Sequence, residues 1–326
     1  MGRVQCAHSA TLCATPSKAR RMIRFILSRL GQAVVAVIGV SLIVFVAVRA
    51  SGDLERFVLP PDANTAELAR VRSEYGLDRP LYVQYGLFLS RAVVGDFGTS
   101  WRWQSPAWDL VRERLPATLE LALAAALIST IIAVWIGTQS AARPGSWIDQ
   151  FGSAFAVLGQ SMPTFWVGIL LILFFAVELR WLPTSGYGKV SNLVLPALTL
   201  GWASAAAQTR LMRSAMLDVL DSEYIKMARV KGVSEFWVIY KHALRNASLP
   251  VLTVMSVQWA QLLSGSVIVE TIFAWPGVGR TIVEAIFNRD FAVVQAGTFM
   301  ISVVFVVINL AVDLLYGVLD PRIRLG

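Results

Sequence analysis

Long apolar runs alternate with polar stretches along most of the chain. The runs cover about residues 24–48, 116–137, 151–177, 193–212, 250–273 and 291–316. About 20 consecutive apolar residues are enough to cross a bilayer as an α-helix. The pattern therefore predicts an all-α integral membrane protein with six transmembrane helices.

The polar stretches between the runs indicate how the chain crosses the membrane. Basic residues precede the first run and are dense between the fourth and fifth runs. Because Lys and Arg mark the cytoplasmic ends of membrane helices, both termini are expected in the cytoplasm. The same rule makes the loop at residues 214–249 cytoplasmic and residues 51–115 external.

These boundaries divide the chain into segments with different expected roles. Residues 1–21 show no helical period and are interpreted as a disordered tail, and residues 321–326 as a short C-terminal tail. The first transmembrane helix is placed at residues 22–50. Residues 51–115 are expected to form a small external helical subdomain, and residues 116–320 a membrane core with the other five helices.

Small residues and helix breakers indicate how the predicted helices pack. Gly159, Pro163 and Gly168 in the third run allow kinks and close helix contacts. The fourth run contains the small-residue stretch 201–207, which lets neighbouring backbones approach closely. We therefore expect the fourth helix at the centre of the bundle.

The composition supports a membrane protein and argues against two other classes. The chain is 56% hydrophobic and only 15% charged, with a mean hydropathy of +0.61. Its net charge of +8 comes from basic residues near the ends of apolar runs, so membrane topology explains it better than nucleic-acid binding. With two cysteines and two histidines in all, no metal site is expected.

The loop at residues 214–249 carries the clearest candidate interaction surface. On a continuous helix, its residues at three- and four-residue spacing would share one face, which Ala228 and Gly232 would make shallow. Such a face suits docking into a groove of another protein. Spacing alone leaves open the alternative of a solvated basic loop. The candidate docking residues are Tyr224, Ala228, Arg229, Lys231, Gly232 and Glu235.

Polar residues inside the apolar runs are candidates for a path across the membrane. They could line a water-filled path or join one helix to another, and the sequence leaves both readings open. The candidates are Gln160, Gln208, Gln258, Gln261 and Asn309. The acidic residues Glu178, Glu270 and Asp313 lie near predicted helix ends, where snorkelling or an ion pair is expected.

Several motifs resemble those of the permease subunits of ABC importers. The inner-loop signature of that family ends in Ala, three residues, then Gly, as Ala228 and Gly232 do here, although its initial Glu-Ala is replaced by Lys226 and Met227. The chain is similar to the dipeptide, oligopeptide and nickel branch through six further motifs. These are residues 76–80, 95–100 (Gly-Asp-Phe-Gly-Thr-Ser), 115–120 (Leu-Pro-Ala-Thr-Leu-Glu), 245–250 (Arg-Asn-Ala-Ser-Leu-Pro), 275–280 (Trp-Pro-Gly-Val-Gly-Arg) and 319–322 (Leu-Asp-Pro-Arg).

The resemblance implies a type I importer permease fold in a bacterial or archaeal inner membrane. It further implies a second homologous permease subunit, two cytoplasmic ATPase subunits that bind ATP and magnesium, and an external solute-binding protein. The inner loop would be the ATPase-coupling element, and transport would proceed by alternating access. The expected solute is a peptide, with nickel chelates, glutathione and opines as alternatives.

Residue patterns weigh against two other functions. The chain has no phosphate-binding loop of the form Gly-x-x-x-x-Gly-Lys-Ser/Thr, so ATP is expected to bind partner subunits, with no cofactor in this chain. No nucleophile, base and orienting group recur at a catalytic spacing, so an enzyme is not expected. A secondary transporter would show internal repeats and a coupled intramembrane charge, and neither is visible.

Overall fold

The structure is a computed structural model that describes residues 18–50 and 78–319, almost all of them helical. The expected tails at 1–17 and 320–326 and the stretch 51–77 lie outside the described residues. The helices are α1 (Lys18–Ala50), α2 (Leu81–Val93), α3 (Ala107–Ala142), α4 (Trp147–Ser161), α5 (Thr164–Leu171), α6 (Val190–Leu220), α7 (Glu223–Val230), α8 (Glu235–Trp237), α9 (Leu244–Ile272), α10 (Val278–Phe287) and α11 (Phe291–Leu319). Two π-helical segments, Ile172–Glu178 and Val238–Ala243, follow α5 and α8.

Four helices of the described chain are long and apolar enough to cross a membrane. They are Leu27–Ala50, Ala107–Ala142, Val190–Leu220 and Phe291–Val312. Two bent pairs raise the number to six if each pair is one span. These pairs are Trp147–Ser161 with Thr164–Glu178, bent by 115°, and Pro250–Trp259 with Gln261–Ile272, bent by 47°. The all-helical prediction is confirmed, and the structure supports between four and six spans.

α6 lies at the centre of the bundle, as its small residues predicted. It packs against α3, α4, α5 and α9. A Cβ atom built on Gly201 would lie 2.9 Å from the carbonyl oxygen of Ala125, and one on Gly137 would lie 2.7 Å from the Cβ of Met212. Contacts this short leave no room for a side chain, so glycine is required for the approach of α3 to α6.

Three prolines lie inside long helices. Pro116 and Pro250, near which the second and fifth spans were predicted to start, lie inside α3 and α9, and Pro196 lies inside α6. A proline removes one backbone hydrogen bond, and helix packing in a bundle compensates for this loss. Pro163 is the N-cap residue of α5, at the sharp bend between α4 and α5.

α3 connects two hydrophobic clusters at opposite ends of the bundle. Near its C-terminus, Ala133 and Ala141 pack with Ile225 and Val238 at what we call the α7 end. Near its N-terminus, Val111 packs with residues of α10 and α11 at the α10 end. The 36 residues of α3 correspond to about 54 Å of helix at 1.5 Å per residue, so the ends are well separated.

Candidate functional site

The polar loop folds into a compact unit, residues 221–243, which we call the α7–α8 segment. Its inner side is held by Ile225, which is fully buried against Met212 and Met216 of α6. Val238 and Ala243 are also fully buried in this cluster. The segment is therefore packed onto α6 and the start of α9, so displacing it must move these helices.

The two residues shared with the family signature form the C-terminal cap of α7. The amide of Gly232 donates to the carbonyl of Arg229 at 2.9 Å, and the amide of Val233 donates to that of Ala228 at 3.2 Å. This pair of bonds is a Schellman motif, in which the residue at the Gly232 position adopts a left-handed conformation. Gly232 has a φ of +79°, which L side chains rarely adopt.

The continuous helical face expected from the sequence is wrong. α7 ends at Val230, so the chain turns at Gly232 and Glu235 begins a new helix. Ala228 is half-buried and packs against the buried cluster around Ile225 and Met216, which we call the inner cluster. Lys231 and Gly232 are exposed. The Ala-x-x-x-Gly spacing therefore reflects a helix cap, with Ala228 facing the core and Gly232 in the turn.

An ion pair closes the corner between α7 and α8. The Nε and Nη2 atoms of Arg229 donate to the two carboxylate oxygens of Glu235 at 3.2 and 2.8 Å. These hydrogen bonds lower the pKa of Glu235 below its ordinary value, and partial burial opposes them. Both side chains are exposed, so the pair sets the angle of the corner and contributes little to global stability.

Tyr224 connects α7 to the start of α9. Its hydroxyl oxygen accepts a hydrogen bond from Nδ2 of Asn246 at 2.7 Å, and the same amide group donates to the carbonyl of His242 at 3.1 Å. The neighbouring Ala247 is fully buried in the inner cluster. The Asn-Ala-x-Leu-Pro motif therefore attaches the segment to α9.

The outer side of the segment carries an aromatic cluster that the sequence analysis missed. The ring of Phe236 lies 5.7 Å from that of Trp237 and 4.9 Å from that of Tyr240. Phe236 is 61% exposed, and Met227 and Val230 extend the apolar surface along α7. The aromatic spacing i, i+1, i+4 was visible in the sequence.

A buried ion pair braces the same end of the bundle. Arg213 of α6 donates to Asp149 of α4 through Nε at 2.6 Å and Nη2 at 2.9 Å. The amide of Gly145 donates to the same carboxylate at 2.9 Å. Asp149 is almost fully buried, so the pair fixes the start of α4 to the part of α6 that leads into the α7–α8 segment.

The structure brings together only two of the five candidate path residues. Gln208 of α6 is fully buried and its Nε2 donates to Oε1 of Gln258 on α9 at 2.8 Å. Asn309 donates to the carbonyl of Phe305 in its own helix. Gln160 and Gln261 are exposed next to the bends of the two broken spans.

At the α10 end, Glu270 is buried rather than snorkelling, contrary to the expectation for acidic residues near helix ends. Its carboxylate accepts hydrogen bonds from Oγ1 of Thr118 at 2.7 Å and from the amide of Arg280 at 2.9 Å. A Cβ atom on Gly277 would overlap this carboxylate. The motifs at 115–120 and 275–280 thus enclose one acidic side chain.

The other two acidic residues near predicted helix ends differ from Glu270. Glu178 is exposed, and the side chain of Asp313 lies outside the described residues.

No group of three or more His, Cys, Asp or Glu side chains that could hold a metal occurs in the described part of the chain. The exposed aromatic rings of the α7–α8 segment are a candidate surface for contact with a protein.

Comparisons with known proteins agree with this organisation. Residues 129–325 match the family model described as "Binding-protein-dependent transport system inner membrane component", and residues 22–122 match the model of its N-terminal region. The glutathione transport system permease protein GsiC of Salmonella paratyphi A is 40% identical over 93% of this chain and 99% of that protein. GsiC of Escherichia coli K12 is 41% identical over the same shares.

A solved structure shares the fold. The inward-facing MetNI methionine ABC transporter aligns with a TM-score of 0.51 and 18% identity over 65% of this chain and 96% of that chain. From the family models and the relatives together, the chain belongs to the inner membrane components of binding-protein-dependent transport systems, as an ABC importer permease subunit of the peptide and nickel family.

Proposed function

We propose that this chain forms half of the membrane path of an importer for short peptides such as glutathione. The proposal rests on relatives of 40–41% identity that are glutathione transport permeases and match over 99% of their length. Nickel chelates, opines and other peptides are the alternatives. Uptake measured in proteoliposomes with labelled glutathione, a dipeptide and a nickel chelate distinguishes them, and uptake of the chelate alone would contradict the proposal.

ATPase subunits dock on the outer surface of the α7–α8 segment. The observation that supports this is the exposed aromatic cluster around Phe236 on a segment whose inner face is packed into α6 and α9. An exposed aromatic patch outside a span is a typical protein contact surface. Closure of the ATPases on ATP binding would then move α6 and α9 and switch the path between two states.

The docking surface is tested by Phe236→Ser in the assembled importer. Aromatic side chains at interface hot spots contribute about 2 kcal/mol or more, so we expect roughly thirtyfold weaker ATPase binding and a similar loss of transport. Phe287→Ser is the matched control because Phe287 is 84% exposed at the α10 end. Equal losses in both variants, or none in Phe236→Ser, would contradict this docking site.

A second permease subunit covers the exposed side of α9. Val257, Gln261, Ser264 and Ile268 are exposed along this helix within a candidate span. A glutamine facing lipid loses hydrogen bonds, so a water-filled path or a second subunit is the better environment for Gln261. The buried Gln208–Gln258 pair lies behind this face and holds α6 to α9.

Cysteine labelling tests the position of Gln261. In the assembled importer, Gln261→Cys should react with a water-soluble maleimide at a rate that depends on nucleotide state. Leu123→Cys, at a position 62% exposed on α3, should stay unreactive because it faces lipid. A Gln261→Cys variant as unreactive as the control in every nucleotide state would remove this residue from the path. Transport by the chain without ATPase subunits would instead support a secondary transporter.

A further inference from the structure

A small cleft opens at the α10 end of the bundle, away from the α7–α8 segment. It encloses about 160 Å³ between the first turns of α3 and α10. Leu110 and Arg114 line it from α3, and Arg280 and Glu284 line it from α10. Trp103 and Pro276 form the remaining apolar walls. Arg114 lies 28 residues before the end of α3, about 40 Å from the α7 end.

The cleft has more positive hydrogen-bond donors than acceptors. Arg114 is half-buried, and its guanidinium makes no hydrogen bond or ion pair with any described residue. Arg280 donates from Nε to Glu284 at 2.7 Å and from Nη1 to the carbonyl of Ala274 at 2.7 Å, which leaves its Nη2 group without a partner among the described residues. The three charged side chains of the cleft carry a net charge of +1.

No buried acidic group of the described residues occupies the free guanidinium donors of the cleft. The carboxylate of Glu270 is committed to Thr118 and to the amide of Arg280, below the turn that forms the cleft wall. Glu284 uses one carboxylate oxygen for the Nε of Arg280. A planar guanidinium with free donors matches the two oxygens of a carboxylate, which it binds through paired hydrogen bonds.

We propose that this cleft is a binding site for the carboxylate group of a small solute. Drug-sized ligands occupy pockets of about 300–1,000 Å³, so the cleft holds the carboxylate end of a molecule and not a whole peptide. The free donors of Arg114 and Arg280 match the two oxygens of a single carboxylate. Glu284 disfavours a phosphate dianion, and Trp103 provides an apolar wall for the carbon atoms that carry the carboxylate.

The site is tested on the full chain in detergent by modifying arginines with phenylglyoxal and mapping them by mass spectrometry. Sodium acetate at about ten times its dissociation constant should slow modification of Arg114 about tenfold, because only the free guanidinium reacts. Glycine should also protect Arg114, and methylammonium chloride at equal ionic strength should not. Arg112 is the internal control, since it is exposed on α3 and does not line the cleft.

A charge variant separates a specific site from general anion attraction. Glu284→Gln removes the negative charge of the cleft, so acetate should protect Arg114 at a several-fold lower concentration. Glu113→Gln is the matched control, because Glu113 is exposed next to Arg114 in sequence but outside the lining. The proposal is overturned if acetate protects Arg112 and Arg114 equally or neither of them. Protection by inorganic phosphate or by a solute-binding protein alone would also overturn it.

Discussion

Replacing Gly232 tests why the signature position is a glycine. The residue is required either for its backbone conformation or because a larger side chain would clash with neighbouring atoms. A Cβ atom at this position meets no atom within 4 Å, so no substitution clashes with the chain itself. The φ of +79° costs an L-residue about 1–2 kcal/mol, and Asn tolerates it better. Gly232→Ala and Gly232→Lys should therefore weaken the cap of α7 by the same amount, and Gly232→Asn by less.

The weakened cap should be visible in amide exchange of the isolated chain. The amides of Gly232 and Val233 donate the two cap hydrogen bonds, so their exchange reports the opening of the turn. Each 1.4 kcal/mol of cost corresponds to a tenfold larger opening constant, so a cost of about 1–2 kcal/mol predicts about fivefold to thirtyfold faster exchange in the Ala and Lys variants. Peptides from α1 and α11 serve as internal controls. A Lys variant much worse than Ala, or an Asn variant equal to Ala, would refute the conformational explanation.

Three further perturbations follow from charged groups of the described chain. Glu270→Gln should lower the free energy of unfolding by about 1–3 kcal/mol, because a buried amide group cannot accept hydrogen bonds from both donors that contact the carboxylate. Thermal unfolding in detergent measures this loss, and a variant as stable as the parent would contradict the prediction. Asp149→Asn should lower the free energy of unfolding by about 3 kcal/mol. This is the low end of the range for broken buried ion pairs, because the side chain of Arg213 is 31% exposed. An unchanged unfolding temperature would show that the pair is not needed for stability. At pH values above the ordinary glutamate pKa of about 4.3, the Arg229–Glu235 pair should contribute at most about 1 kcal/mol to the stability of the α7–α8 segment. This contribution should vanish as the pH falls through the lowered pKa of Glu235. Amide exchange of residues 223–237 in the parent and in Arg229→Gln should therefore differ near pH 7 and converge once the pH is below the lowered pKa of Glu235. A difference that persists at still lower pH would contradict the assignment.

The membrane character of the chain could be predicted from its apolar runs because that signal extends over about 20 residues at a time. The central position of α6 was also predictable, because a stretch of small residues in a membrane helix lets neighbouring helix backbones approach closely. The apolar runs do not show that α3 and α9 extend several residues before Pro116 and Pro250, because the compensation for a proline comes from neighbouring helices. The bend at Pro163 was correctly indicated, because a proline and the residue before it both disfavour helix continuation and Pro163 lies at the break between α4 and α5.

The local geometry of the candidate docking surface differs from the one that the residue spacing predicts. A three- and four-residue spacing predicts one face only if the helix is continuous, and the spacing from Ala228 to Gly232 is also that of a helix cap. The sequence cannot separate these two cases without the φ of Gly232. The buried environment of Glu270 could not be predicted from local sequence, because its partner Thr118 lies 152 residues away in the chain.

The arrangement of rigid and bent helices indicates where a conformational change can occur. α3 and α6 approach within backbone contact at Gly137 and Gly201, so neither can slide past the other without overlap. Movement of the α7–α8 segment must therefore displace this pair as one body or change the bends of the broken spans. The candidate path residues Gln160 and Gln261 lie beside those two bends, and Gln258 lies next to the second. Polar side chains next to a bend can exchange partners as it opens, whereas apolar ones would leave a cavity. We therefore expect a push at the α7 end to change the bends first, and through them the exposure of Gln261.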